Sequence, residues 1–123
     1  MRPLWQIERA VLEAAAHDYP QSSDCLKRQM ELAEVSNFEN TGHGFFSTIA
    51  VAADAPLLPD KSPLDAATAT VPGLEYGMGF LVFLDDGRVS LIEGYSYGPD
   101  STVGIDFENV QFDLKPWSTA GLD

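Results

Sequence analysis

The chain has 123 residues, of which 45% are hydrophobic and 11% aromatic, so it can bury a core and is predicted to fold as one domain over residues 1–123. Its 19 acidic and 7 basic residues give a formal net charge of −12, which repels phosphate backbones and anionic lipid head groups. Binding to nucleic acid or to a membrane surface is therefore disfavoured.

The location of the protein is expected to be cytoplasmic. A single cysteine, Cys25, cannot form an internal disulfide, as is usual in a reducing compartment. Charged residues appear at Glu8 and Arg9 before an apolar signal-peptide core could build, and no apolar run approaches the length of a membrane-spanning helix.

Two helices are predicted near the N-terminus. Pro3 suits a first helical turn, and apolar residues follow it at helical spacing, which predicts a helix over residues 3–17. Ser22 or Ser23 can cap a second helix. The short connection makes the two helices an αα-hairpin.

Strand signals fill the remainder of the chain. Aromatic and β-branched runs predict strands within residues 35–38, 45–52, 66–71, 77–97 and 105–114. A bulge is expected near Glu108 and Asn109, and the proline-rich residues 54–65 are expected to form a surface loop. Helices followed by strands predict an α+β fold, in which an N-terminal helix hairpin packs on an antiparallel sheet of about five strands. A partial barrel is the alternative.

Residues 77–97 are predicted to form a hairpin. If Asp86-Gly87 is a two-residue turn, Phe80 pairs with Glu93, and Gly79 pairs with Gly94. The bulky residues then share one face, and the glycines form a bare strip on the other. A three-residue turn with a bulge would shift this pairing by one residue. The strip could accept a helix, a ligand or the backbone of a partner.

Two residues are candidates for a functional site. Strand parity places Glu93 beside Tyr95 and Tyr97, where a carboxylate serves as a general acid or base, as a ligand anchor, or only as a structural group at a sheet end. His43 lies between glycines in a turn that begins at Thr41, which leaves the imidazole accessible and lets backbone N–H groups bind an anion. A surface histidine without function is the alternative.

The sequence contains no pattern that indicates a cofactor or a metal. Two histidines and one cysteine cannot supply zinc-binding spacing. Dinucleotide-binding, phosphate-loop and Gly-x-Ser-x-Gly patterns do not occur. We therefore predict no cofactor and no metal, and favour a protein without enzymatic activity.

Three stretches carry a family resemblance. They are Thr41–Ser47, Val71–Gly87 and Leu91–Tyr97, with the patterns Thr-Gly-x-Gly-Phe-Phe, Gly-x-Gly-Phe and Leu-x-Glu-Gly-x-x-Tyr. They resemble a family of small uncharacterised bacterial proteins of similar length, over most of residues 25–97. The resemblance implies a compact cytoplasmic domain and supplies no catalytic residues. In size and charge the chain also resembles the immunity proteins that pair with bacterial toxins.

The first functional hypothesis is a protein-binding module that resembles an immunity protein or an antitoxin. Its acidic surface would dock a basic partner, with Asp85, Asp86 and Asp100 near the hairpin ends and Glu93 as the anchor. A homodimer through a sheet edge or the glycine strip is also compatible with the sequence.

The second hypothesis is a small-ligand site or a hydrolase. It would use His43, Glu93 and Tyr95, with Thr41 and Tyr97 beside them. It requires His43 and Glu93 to share one pocket, because proton transfer needs hydrogen-bond contact.

Overall fold

The structure is a computed structural model that describes residues 1–120. Its regular elements are α1 (Gln6–Asp18), α2 (Ser23–Glu31), β1 (Ala33–Asn40), β2 (Gly44–Val51), β3 (Leu64–Val71), β4 (Leu74–Asp85), β5 (Arg88–Ser96) and β6 (Asp113–Pro116). Short 3-10 helices precede α2 at Pro20–Ser22 and follow β6 at Trp117–Thr119. The predicted α+β fold is confirmed.

The strands form one antiparallel sheet in the order β1-β2-β5-β4-β3-β6. Within residues 1–120 it has six strands, where about five were predicted. The β4–β5 hairpin, which carries the strongest local signal in the sequence, lies at the centre of the sheet. The strands β1 and β6 form its edges, and the backbone of Arg2 pairs with Val35 on the outer side of β1.

Both helices pack on the same hydrophobic core as one face of the sheet. Buried apolar residues from helices and strands form one continuous cluster that includes Ile7, Leu26, Phe45, Phe80 and Ile92. The predicted arrangement of a helix hairpin on a sheet is therefore correct. We call this side of the sheet the core face.

The central hairpin turns where predicted, but its pairing differs. Asp86 and Gly87 have φ angles of 52° and 78°, as a two-residue type I′ turn requires. A β-bulge at Ser90 then shifts the register between β4 and β5. As a result Phe80 pairs with Gly94, and the predicted pairing of Phe80 with Glu93 is wrong.

The shifted register also removes the predicted glycine strip, since Gly79 and Gly94 lie on opposite faces. A Cβ atom on Gly79 would lie 2.5 Å from the Tyr97 hydroxyl, whereas one on Gly94 would lie 2.8 Å from the Phe45 ring. Each glycine therefore makes room for an aromatic ring from its own side of the sheet.

Residues 105–112 form a loop with a turn at 107–109 instead of the predicted strand. The Asp106 carboxylate accepts the backbone N–H of Glu108 at 3.1 Å and the side-chain amide of Asn109 at 2.9 Å. This is an Asx turn, at the position where a bulge was expected. Phe107 is buried and packs on Phe45, with ring centroids 4.8 Å apart. The last strand therefore begins only at Asp113.

Glu8 is a buried charge on α1. The Arg2 guanidinium donates to both of its carboxylate oxygens at 2.8 and 2.9 Å, and the backbone N–H of Trp5 donates at 2.7 Å. The Ser47 hydroxyl donates as well, so the charge is both paired and hydrogen-bonded. These bonds join the N-terminal residues to α1 and β2.

Gln29 is the second buried polar residue that organises the fold. Its amide nitrogen donates to the carbonyl oxygens of Pro56 and Gly87 at 2.7 and 2.8 Å. Its amide oxygen accepts the N–H of Val89 at 2.9 Å. Gln29 thus ties α2 to the proline-rich loop and to the central hairpin turn.

Candidate functional site

The second face of the sheet carries partly exposed side chains that lie outside the core cluster. In β4 and β5 they alternate with the buried residues of the core face. We call this surface the open face and define it by Glu39, Phe46, Asp65, Leu81, Phe83, Leu91, Glu93, Tyr95 and Tyr97.

One row of paired residues crosses the open face on five strands. Glu39 pairs with Phe46, and Phe46 pairs with Glu93. Glu93 pairs with Leu81, and Leu81 pairs with Asp65. Because directly paired residues project to the same side, three carboxylates alternate with two apolar side chains. Strands lie about 4.8 Å apart, so successive carboxylate residues are about 10 Å apart. We call these five residues the acidic row.

Beside this row, two tyrosines lie over the backbone of Gly79. The rings of Tyr95 and Tyr97 meet edge to face, with centroids 5.6 Å apart and planes at 84°. The Tyr97 hydroxyl donates to the Thr68 hydroxyl at 3.1 Å. Lys115, which pairs with Thr68, borders this part of the face. We call the two packed rings of Tyr95 and Tyr97 the aromatic wall.

Two carboxylates of the acidic row, Asp65 and Glu93, lie close enough to affect Tyr95. Burial raises the pKa of Tyr95 above its usual 10.0, and the neighbouring Tyr97, Asp65 and Glu93 raise it further. Because the pKa of Tyr95 is higher in the folded than in the unfolded protein, its contribution to stability is complete at pH values below the unfolded-state pKa. That stabilisation is lost as the pH rises through the folded pKa.

We expect the variant Asp65→Asn/Glu93→Gln to titrate Tyr95 at lower pH than the wild type does, because two nearby negative charges are removed. Ultraviolet absorbance of tyrosinate measures this, and Tyr95→Phe identifies which part of the curve belongs to Tyr95. An unchanged Tyr95 midpoint in the double variant would show that the carboxylates do not act on the phenol.

The predicted histidine turn is held by internal hydrogen bonds. The N–H of His43 donates to the Thr41 hydroxyl at 3.3 Å, and the N–H of Gly42 donates to the Asn40 side chain at 3.0 Å. The N–H of Gly44 donates to the Thr102 hydroxyl at 3.0 Å. An anion would therefore have to displace these bonds to bind here. The His43 side chain is exposed.

The predicted site residues occupy two places. Glu93, Tyr95 and Tyr97 come together on the open face, whereas Thr41 and His43 lie in the β1–β2 turn. The His43 carbonyl accepts the N–H of Ser96 at 2.8 Å, three positions along β5 from Glu93. At about 3.4 Å per residue, this places the backbones of His43 and Glu93 about 10 Å apart along the strand.

The aspartates near the hairpin ends do not form one surface. Asp85 and Asp86 are exposed at the β4–β5 turn. Asp100 lies at the opposite end of the hairpin, where its carboxylate accepts the N–H of Glu75 at 2.8 Å. The acidic row crosses the sheet between these two ends.

Sequence reasoning missed Glu39, Phe46, Asp65 and Leu81 as site residues. One signal was available: the run Phe80-Leu-Val-Phe-Leu84 has no polar alternation. A strand that is apolar on both sides indicates contacts on both faces of its sheet. The cross-strand neighbours could not be assigned without the register.

No family model, curated protein or solved structure matches the chain. No helix within residues 1–120 is long and apolar enough to cross a membrane. In the same part of the chain, no three or more metal-ligating side chains form a group that could hold an ion.

Proposed function

We propose that this protein is a non-enzymatic binding module of a bacterial cytoplasm, similar in role to an immunity protein or antitoxin, and that it docks a basic protein on its open face. The observation that carries the proposal is the acidic row, in which Glu39, Glu93 and Asp65 alternate with Phe46 and Leu81. Apolar contacts supply affinity at such a surface, and charges select the partner.

The charge of the open face favours a basic partner over a second copy of the chain. Stacking two open faces would bring like charges together, in molecules that each carry a net charge of −12. Juxtaposed like charges oppose association. A partner with lysine or arginine side chains between apolar residues instead complements both components of the row.

A ligand site or hydrolase built on His43 and Glu93 has less support. The backbones of the two residues lie about 10 Å apart along β5, and the N–H groups of the histidine turn are bonded internally. Glu93 shares a row of directly paired residues with Asp65 and Glu39, and His43 lies outside that row.

The test compares two variants that each lose three negative charges, at different places on the surface. The face variant carries Glu39→Gln, Glu93→Gln and Asp65→Asn. The control variant carries Glu13→Gln, Glu108→Gln and Asp54→Asn, at exposed positions outside the open face. Wild type and control are expected to capture one basic protein from a lysate of the source cell at low salt and to release it at high salt, because screening weakens exposed charge pairs.

The face variant is expected to recover little of that protein. Equal recovery by the face and control variants would contradict docking on the open face. Failure of the wild type to capture any basic protein would contradict the binding function itself.

A further inference from the structure

The part of the open face around Tyr95 has a composition suited to one kind of side chain. We call Tyr95, Tyr97, Glu93 and Asp65 the anchor corner. Its two rings meet at 84° over Gly79, which presents ring surface in two directions. A Cβ atom on Gly79 would lie within 2.7 Å of both tyrosines, so the missing side chain lets the rings lie close to the sheet.

Carboxylates flank this aromatic wall. Glu93 precedes Tyr95 by two residues and so projects to the same side of β5. Asp65 reaches the same region from β3, because it pairs with Leu81, the partner of Glu93. Both charges act on the Tyr95 phenol. Aromatic faces together with carboxylates bind cations through ring electrostatics and charge-assisted hydrogen bonds.

We propose that the anchor corner seats an arginine side chain of the basic partner, an inference that rests on the proposed function. A guanidinium is planar, stacks on aromatic rings and carries five N–H donors that match carboxylates. A lysine ammonium is more strongly hydrated and cannot stack. Glu93 and Asp65 supply the carboxylates that such a guanidinium would meet beside the two rings.

The test uses N-acetyl-arginine amide as the probe. Its titration into the full chain is followed by the NMR signals of the Tyr95 and Tyr97 rings, which are assigned with Tyr95→Phe and Tyr97→Phe variants. We expect saturable shifts of both rings, with binding at least about threefold tighter than that of N-acetyl-lysine amide. N-acetyl-norleucine amide, which has no charge, is expected to shift neither ring.

The variant Asp65→Asn/Glu93→Gln is expected to weaken arginine binding at least about tenfold, while Glu13→Gln/Asp54→Asn leaves it unchanged. Equal shifts with the arginine and norleucine probes would overturn the proposal, as would unchanged affinity in Asp65→Asn/Glu93→Gln.

Capture of the partner from a lysate distinguishes failure of the arginine anchor from failure of the proposed binding function. Capture that needs the acidic row but survives Tyr95→Leu would overturn the arginine anchor and leave the binding function standing. Binding of the arginine probe by a chain that captures no partner would overturn the function and leave the corner as an arginine site.

Discussion

Replacing Arg2 with methionine is expected to lower the free energy of unfolding by about 3 kcal/mol, because it leaves a buried carboxylate without its counter-ion. Glu8 is 0% exposed, and the Arg2 guanidinium supplies two of its hydrogen bonds. That guanidinium also lies 3.4 Å from the centre of the Trp5 ring, so stacking is lost as well. Urea denaturation followed by circular dichroism measures the change.

The matched control for this prediction is Arg9→Met, which removes an exposed arginine on α1 and is expected to change stability by no more than about 0.5 kcal/mol. The double variant Arg2→Met/Glu8→Leu is expected to recover part of the loss, since no buried charge then remains. Equal stability of Arg2→Met and Arg9→Met would refute the role of the Arg2–Glu8 pair.

Replacing Gln29 with alanine is expected to cost about 3 kcal/mol of stability, because it leaves three backbone groups without their partner. These are the carbonyls of Pro56 and Gly87 and the N–H of Val89. An unsatisfied buried group costs about 1–3 kcal/mol, part of which a water molecule can restore. Alanine is a better helix former than glutamine, so the loss cannot come from α2 itself.

Gln6→Ala, at an exposed position of α1, is the control for Gln29 and is expected to leave stability nearly unchanged. Hydrogen exchange adds a local measurement. The amides of Val89 and Leu58 should exchange faster in Gln29→Ala, because Leu58 donates to Gly87 at 2.9 Å in the same cluster. Unchanged exchange at both amides would contradict this account of Gln29.

Local patterns predicted most elements of the fold, because helical periodicity and turn chemistry act within a few residues. Asp86-Gly87 identified the central turn correctly. Ser90 carries no comparable signal, yet its bulge moves every later residue of β5 by one position against β4. The bulge therefore determines that Phe80 pairs with Gly94 on one face of the sheet, and local sequence does not specify this bulge.

Residues 105–112 were wrongly predicted to be a strand for a different reason. Ile105, Phe107, Val110 and Phe112 look like strand residues, but they contact the core from a loop. Asp106 and Asn109 are turn formers, and greater weight on them would have predicted the observed Asx turn.

Glu8 and Gln29 could have been recognised as buried polar residues from helix periodicity. Glu8 lies four residues after Leu4 and three before Val11, on the apolar stripe of α1. Gln29 lies three residues after Leu26 on the buried side of α2. A polar residue on an apolar stripe predicts a hydrogen-bonded network, although the partners of each remain unknown until the strands are placed.

Oxidative footprinting of the complex with the captured basic protein tests the central claim most directly. We expect Phe46, Tyr95 and Tyr97 to lose reactivity when the partner binds, because all three lie on the open face. Protection confined to the outer surfaces of α1 and α2, with the reactivity of the open face unchanged, would contradict the claim.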